Sequence, residues 1–294
     1  MTVGLCLSNG KEAFVLTDRL RSQNTEGGYH ATKQSSKFGK KSSLILSCSG
    51  NSDLNQLLHE EDMTFGSLDD FNKIIHGFIE NYFHDYLVQS ERGKKSFLIN
   101  LSDKGHKKGR KREHLKLTQK EIDEVIQHTS MVVGVENNKI RIYQVNVKGP
   151  RRLKVQTLNK HGSGMYMARR YLNSFMSGVN FESLSNQNMA LHIMSAYSYA
   201  QLMTSVGGTP DLHSIDTKGT IYNYNLAQRC AMSNVASARM VQTVGLAQAR
   251  WMFDSIFQEK DYDDIARTLN LTETTLTTTT IPYLSWQERV NHKQ

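Results

Sequence analysis

The start of the chain carries residues whose types and spacing could do chemistry. Thr2 follows Met1, and removal of Met1 would leave the Thr2 hydroxyl beside a free α-amino group. The α-amino group has a reference pKa of about 8, so it can accept a proton at neutral pH. Threonine activated by its own amine is a known nucleophile. Thr2 is therefore a candidate nucleophile, although many chains that begin Met-Thr are not hydrolases.

The residues after Thr2 predict a β-hairpin that returns to the chain start. Apolar residues alternate with small or polar ones over residues 3–8, as in a strand. Asn9-Gly10 is a strong hairpin signal, and a second strand ends at Thr17-Asp18-Arg19. Because the strands of a hairpin are antiparallel, we expect Asp18 close to Thr2. The alternative is that Asp18 and Arg19 form only a surface ion pair.

Strand and helix signals alternate in blocks along the rest of the chain. After a polar stretch at 21–36, the order is strands, two helices, strands, two helices, strands. Strand patterns lie at 43–48, 130–158 and 211–224, and helical patterns at 53–58, 71–82, 166–175, 188–205 and 235–257. Strand blocks between helix pairs favour two antiparallel sheets enclosed by helical layers.

The composition is typical of a globular protein of the cytoplasm. Hydrophobic residues make up 38% and charged residues 22% of the chain, and no stretch approaches the roughly 18 apolar residues of a membrane span. We also expect no signal peptide, because the chain starts with a short strand pattern. The three cysteines are widely spaced, which predicts reduced core residues. No closely spaced ligand pairs occur, so we expect no metal and no cofactor.

The positive charge is concentrated in one segment. Seven basic residues and one acidic residue between Lys104 and Lys116 supply six of the eight net positive charges. The segment could contact nucleic acid or an acidic partner. We favour a solvated insertion, because no aromatic residues are interleaved for base stacking.

The C-terminal part of the chain predicts an extension rather than part of the main domain. We predict one domain over residues 1–226, with the insertion at about 88–128, and a helical, then threonine-rich extension over 227–294. Residues 264–272 resemble the start of a helix-turn-helix. The recognition helix would be a β-branched run ending in proline, which is a poor helix, so we do not favour DNA reading.

Four pieces of sequence, in this order, resemble the proteasome-type N-terminal-nucleophile hydrolases. They are Thr2, Thr17-Asp18-Arg19, Lys37 before a strand that runs into Ser49-Gly50, and Gly162-Ser163-Gly164 before a helix. The resemblance covers roughly residues 2–224 and is nearest to the bacterial Anbu and HslV branches, which also lack a propeptide before the threonine. It implies an α+β fold, a four-layer αββα sandwich, here with a C-terminal helical extension.

The resemblance also implies a role for each site residue. Thr2 would attack a peptide carbonyl through its Oγ atom and form an ester-linked acyl-enzyme. Asp18 would pair with Lys37, and Lys37 would favour the deprotonated Thr2 hydroxyl. The Gly50 backbone N–H would stabilise the oxyanion. Ser163 would hydrogen-bond the Thr2 amine and help to transfer the proton.

Two of these assignments keep alternatives. The interval from Asp18 to Lys37 is three residues longer than in the family, whereas Lys33 would be one residue short. Lys37 is preferred because Phe38 follows it. The Gly-Ser-Gly turn at Ser163 could serve only as a helix N-cap. Many family members support that serine with an acid and a serine in a late helix. Met203 and Val206 occupy those places here, with Ser205 adjacent.

We therefore expect a threonine-type peptidase or amidohydrolase that acts on peptides or unfolded proteins. The resemblance implies a homo-oligomeric ring or spiral, and apolar residues spread around the second helix indicate a contact with a neighbouring subunit. An ATPase or an acidic protein is a further candidate partner. The alternatives are an inactive proteasome-like assembly protein, a related acyl transferase, and a nucleic-acid-associated protein that uses the segment 104–116.

Overall fold

The computed structural model of the chain describes most of the residues that the sequence predicts to form the main domain. The described ranges are 3–18, 21–25, 28–32, 38–41, 44–50, 52–60, 63, 65–89, 128–155, 158–162, 165–202 and 209–258. Several predicted features lie outside the described residues: Thr2, Lys33, Lys37, Ser163, Met203, Ser205, Val206, the basic segment 104–116 and residues 259–294.

The described part of the chain contains twelve strands and six α-helices and is of the α+β class, as the sequence predicts. The strands are Gly4–Ser8 (β1), Glu12–Thr17 (β2), Arg21–Thr25 (β3), Gly28–Thr32 (β4), Phe38–Lys41 (β5), Leu44–Ser49 (β6), Thr129–Glu136 (β7), Lys139–Asn146 (β8), Gly149–Arg152 (β9), Leu158–His161 (β10), Asp211–Asp216 (β11) and Ile221–Asn223 (β12). The helices are Ser52–Glu60 (α1), Leu68–Gln89 (α2), Met165–Phe175 (α3), Asn186–Ala200 (α4), Leu226–Met240 (α5) and Leu246–Phe257 (α6).

Ten of the strands form two five-stranded antiparallel sheets. The strand order is β10-β1-β2-β11-β12 in the first sheet and β5-β6-β7-β8-β9 in the second. Strands β3 and β4 form a separate hairpin within the predicted polar stretch. The two antiparallel sheets predicted from the strand blocks are therefore confirmed.

The first hairpin is built by its turn residues. The Asn9 side-chain oxygen accepts hydrogen bonds from the backbone N–H groups of Lys11 and Glu12, both at 2.9 Å. Gly10 takes a φ of +88°, which glycine adopts without strain. The resulting register pairs Gly4 with Thr17, so β2 ends beside the start of β1.

The meander in the second sheet follows the same logic. Asn137 and Asn138 have φ values of +53° and +55°, the backbone of a tight turn whose twist matches the flanking strands. Strands β7 and β8 then pair from Ser130–Val145 to Glu136–Lys139. Strands β7, β8 and β9 lie almost entirely within the strand pattern predicted over residues 130–158.

Three hydrophobic clusters hold these elements together. Successive side chains of a strand point to opposite faces, so Leu5 and Leu7 enter one cluster while Cys6 enters another. The first cluster joins the first sheet to α3–α6, the second joins the second sheet to α1 and α2, and the third joins the inner faces of both sheets. Cys6 and Cys48 are buried and form no disulfide, as predicted for reduced core cysteines, whereas Cys230 forms no disulfide but is only partly buried.

The single helix predicted over residues 235–257 is wrong, because the chain breaks between α5 and α6. Gln242 takes a φ of +64°. The backbone N–H of Thr243 donates to the carbonyl of Ala238 at 3.0 Å, and that of Gln242 donates to Arg239 at 3.2 Å. This pair of bonds is the Schellman motif that ends helices. The apolar periodicity continues across the break because α5 and α6 pack on the same cluster.

Helices α5 and α6 lie within the predicted extension and pack on the first sheet. The Phe257 ring centroid is 6.2 Å from that of Phe14 and 5.5 Å from that of Tyr224. Phe253 is fully buried in the same cluster. Across the described ranges, no helix combines the length and apolar character that a membrane crossing needs.

Candidate functional site

Asp18 and Val3 bind each other at the start of the first sheet. The Val3 backbone N–H donates to the Asp18 carboxylate Oδ1 at 3.0 Å, and the Asp18 backbone N–H donates to the Val3 carbonyl at 3.2 Å. Both residues are fully buried. The predicted return of the hairpin is therefore confirmed, and a carboxylate is fixed one residue away from Thr2.

Strand β10, the other neighbour of β1, ends two residues before the predicted site residue Ser163. Strand β10 pairs with β1 so that His161 lies opposite Gly4. Gly162 follows with a φ of +92°, a backbone that L-residues with side chains rarely adopt. The chain therefore turns sharply directly before Ser163, which itself lies outside the described residues.

The backbone at Gly50 lies very close to the backbone at His128. Gly50 follows the last residue of β6, as Asp18 follows the last residue of β2. Its φ is +111°, and a Cβ atom at this position would lie 2.6 Å from the Cα atom of His128. The residue must therefore be glycine for both conformational and steric reasons.

A polar network surrounds Asp18 inside the fold. Tyr197 of α4 is fully buried. Burial, and then the negative charges of Asp18 and Asp211, raise the pKa of the Tyr197 hydroxyl, which is hydrogen-bonded to Gln201. Asp211 begins β11 and lies opposite Thr17 in the register. The carboxylates of Asp211, at the start of β11, and of Asp18, directly after β2, thus both act on one tyrosine.

Arg229 of α5 balances the second of these carboxylates. Its guanidinium forms an ion pair with Asp211 and also donates to the Pro210 carbonyl at 2.9 Å. The two side chains of the ion pair are only 12% and 9% exposed. A buried charged group needs a partner of opposite charge, and the ion pair with Arg229 supplies that partner for Asp211.

A row of three polar side chains, which ends at His128, lies next to Gly50. The Cys48 Sγ atom is 3.3 Å from the Ser130 Oγ atom, which is 3.5 Å from Nε2 of His128. Burial lowers the pKa of His128 to about 4 and raises the pKa of the Cys48 thiol to about 12. The thiol and the imidazole are therefore both neutral at pH 7. Because only a thiolate is a good nucleophile, this row of side chains has a structural role.

Of the five predicted site residues, the structure describes Asp18 and Gly50. Thr2, Lys37 and Ser163 lie outside the described residues. Sequence reasoning missed Tyr197, Asp211 and Arg229, because their partners are distant in sequence. The one available signal was Asp211, an acid at the start of a strand that otherwise predicts burial.

The described arrangement suits chemistry at the first residues of the chain. The carboxylate of Asp18 is fixed against the backbone that leads into Thr2, and its immediate surroundings are buried. A preorganised, water-excluded carboxylate can orient a cation or a proton donor strongly. Among the described residues, no group of three or more His, Cys, Asp and Glu side chains could hold a metal ion.

Comparisons with known proteins give no family for this chain. No protein-family model matches it, and no curated protein matches it at a significant level.

Replacement of Gly50 by alanine should destabilise the protein strongly. The added Cβ would meet the His128 backbone at 2.6 Å, and alanine is strained at a φ of +111°. We expect the free energy of unfolding to fall by at least ~2 kcal/mol, measured by urea denaturation. Gly77→Ala in α2 is the matched control, since its Cβ would meet nothing within 4 Å. That control should gain about 0.5–1 kcal/mol; a Gly50→Ala protein as stable as Gly77→Ala would contradict the close approach.

We expect the buried His128 side chain to lower the free energy of unfolding as the pH falls. Its folded-state pKa of about 4 lies below the ordinary histidine value of 6.5, so the unfolded chain binds the extra proton between these pH values. The contribution of His128 to stability is complete above pH 6.5 and is lost as the pH falls towards 4, by about 1.4 kcal/mol per pH unit.

Urea titrations from pH 7 to pH 4 test this dependence. His128→Asn should flatten the loss of stability across that window. The unaltered protein, measured in the same buffers, is the reference for this comparison. Parallel pH profiles for His128→Asn and the unaltered protein would disprove the assignment.

Proposed function

We propose that the protein is a threonine-type peptidase or amidohydrolase of the proteasome-type N-terminal-nucleophile class. Thr2 would be the nucleophile after removal of Met1. The observation that carries the proposal is the pair of hydrogen bonds between Val3 and Asp18. Since Val3 is bonded to Thr2, these bonds hold the chain start against a buried carboxylate, as an N-terminal nucleophile requires.

The packing supports the finer proposal of a four-layer αββα sandwich. One cluster joins helices to the first sheet, one joins the two sheets, and one joins the second sheet to helices. This sequence of clusters is the one expected for helix, sheet, sheet and helix layers. Helices α5 and α6 would then belong to the first helical layer.

The register of β1 and β10 supports a role for Ser163. Gly4 pairs with His161 in this antiparallel pair. The segment that leads into Ser163 therefore leaves β10 opposite the start of β1, the strand that follows Thr2 in sequence. Ser163 would then orient the amine and help to transfer its proton.

The strand order favours Lys37 over Lys33 as the active-site lysine. Lys37 directly precedes β5, and β5 pairs with β6, the strand that ends before Gly50. Lys33 instead follows β4, which belongs to the separate two-stranded sheet. A lysine at residue 37 therefore precedes the strand next to the proposed oxyanion donor.

The proposed reaction needs only groups of the chain, the substrate and water. The Thr2 amine accepts the hydroxyl proton as Oγ attacks the substrate carbonyl carbon, and the Gly50 N–H stabilises the oxyanion. Lys37, oriented by Asp18, favours the negatively charged oxygen. The C–N bond then breaks, the amine proton passes to the leaving group, and water hydrolyses the acyl ester.

Covalent labelling of Thr2 tests the proposed function. Intact mass spectrometry should show chains without Met1 and one adduct after treatment with an epoxyketone or a β-lactone. Thr2→Ala should give no adduct and an unchanged circular dichroism spectrum. Lys37→Ala should slow labelling and peptide turnover by at least ~10²-fold, whereas Lys33→Ala should be mild.

Each alternative gives a different result. Native chains that all retain Met1 would exclude the mechanism, since a blocked amine cannot act as the base. Processed chains that form no adduct would indicate an inactive assembly protein. A larger effect of Lys33→Ala than of Lys37→Ala would keep the mechanism and change the lysine.

We further propose a cytoplasmic homo-oligomer of at least six subunits, which would enclose the sites and restrict them to peptides or unfolded chains. Ile74, Phe78 and Tyr82 of α2 are only partly buried, and Leu57 of α1 is 45% exposed. These side chains fit a contact between subunits on this helical layer.

Light scattering should therefore give a mass of at least six chains, unchanged when residues 104–116 are deleted. Leu57→Glu should lower the mass, because it would bury a charge in the contact. Lys73→Glu on the exposed face of α2 is the control and should leave the mass unchanged. A monomer at micromolar concentration with salt-sensitive DNA binding would instead favour a nucleic-acid function.

A further inference from the structure

A pocket of about 160 Å³ lies among α3, α4 and the junction of α5 with α6. An engineered cavity of similar volume, about 150 Å³, holds a benzene molecule, so this pocket has room for one ring with a small substituent. Its polar wall consists of Tyr171, His192, Ser195, Tyr199, Arg239 and Gln242.

The pocket is separate from the candidate site. His192, Ser195 and Tyr199 recur at intervals of three and four residues, so they share one face of α4. Tyr197, the residue that responds to the charge of Asp18, falls on another face of the same helix. The pocket therefore lies on a different side of α4 from the network around Asp18.

Hydrogen bonds hold the polar wall in one arrangement. The Tyr171 hydroxyl lies 2.7 Å from Nδ1 of His192 and is also hydrogen-bonded to Ser195. Burial, aided by the positive charge of Arg250, lowers the pKa of His192 to about 4, so the ring is neutral at pH 7. The neutral ring has one N–H donor and one acceptor nitrogen, and Nδ1 shares a hydrogen bond with the Tyr171 hydroxyl.

The charge of the pocket is positive. None of the described residues that line it is acidic. No ion pair between described residues involves Arg239 or Arg250, although both charges act on the polar wall. A guanidinium binds a carboxylate through two parallel hydrogen bonds, so Arg239 complements that group better than any neutral one.

The backbone conformation of Gln242, at the edge of the pocket, is a second indication that the pocket binds a ligand. Gln242 takes the left-handed conformation that ends α5, a position at which helices usually carry glycine. A side chain at this position costs conformational energy, and such strain is concentrated at functional sites. Gln242 is one of the residues that line the pocket, which gives a reason for glutamine instead of glycine.

We propose that this pocket binds a small carboxylate with an aromatic or branched apolar body. The apolar body packs against Leu191, Met240 and Leu246, and the carboxylate pairs with Arg239. This inference does not depend on the proposed activity at Thr2.

Calorimetric titration of the full chain tests the proposal with phenylacetate, its neutral analogue phenylacetamide, and acetate. Phenylacetate should bind with a Kd below about 1 mM, and the other two at least tenfold more weakly. Arg239→Gln should weaken phenylacetate binding at least tenfold. Arg170→Gln is the matched control, because Arg170 is exposed on α3 and does not line the pocket.

Two further variants separate binding from folding and from catalysis. Gln242→Gly should keep or raise the melting temperature and still weaken phenylacetate binding. Thr2→Ala should bind phenylacetate like the unaltered chain, so failure at one site is distinguishable from failure at the other. Equal binding of phenylacetate and phenylacetamide, a phenylacetate Kd above about 1 mM, or an unchanged Kd in Arg239→Gln would each overturn the proposal.

Discussion

The burial of the Asp18 carboxylate is the constraint on which the rest of the candidate site depends. An ionised carboxylate loses its hydration when it is fully buried, and it must recover that energy from donors and nearby positive charge. The Val3 N–H supplies one such donor at 3.0 Å. The same bond fixes the end of β2 against the start of β1, so the carboxylate that needs a partner also positions Val3.

The strands connect the candidate site to the rest of the fold, because the side chains of one strand enter two different hydrophobic clusters. Leu5 and Leu7 face the helices, whereas Cys6 faces the second sheet, so a register slip by one residue would exchange these environments. Asp18 and Gly50 each follow the last residue of a buried strand. At such positions the alternation ends and a polar or glycine residue can replace an apolar one.

The sequence predicted those features that local signals determine. Asn9-Gly10 marked the first hairpin, and the period-2 runs marked the meander of β7–β9. The break at Gln242 was missed because apolar residues continue through it, and the hairpin of β3 and β4 was missed within a polar stretch. The ion pair of Asp211 with Arg229 and the proximity of Tyr197 to Asp18 join distant segments, which single-sequence patterns do not report.

Helix α4 links the two proposed sites through its own burial. Ten of its fifteen residues are buried, so it lacks the single apolar stripe of a surface helix. Its polar side chains are therefore tolerated only where partners exist: Gln201 bonds Tyr197 near Asp18, and Tyr171 bonds His192 on the pocket side. Both polar clusters depend on the rotation of α4 about its axis, and the first hydrophobic cluster fixes that rotation. The placement of Asp18's neighbours and the shape of the pocket are thus consequences of the same packing.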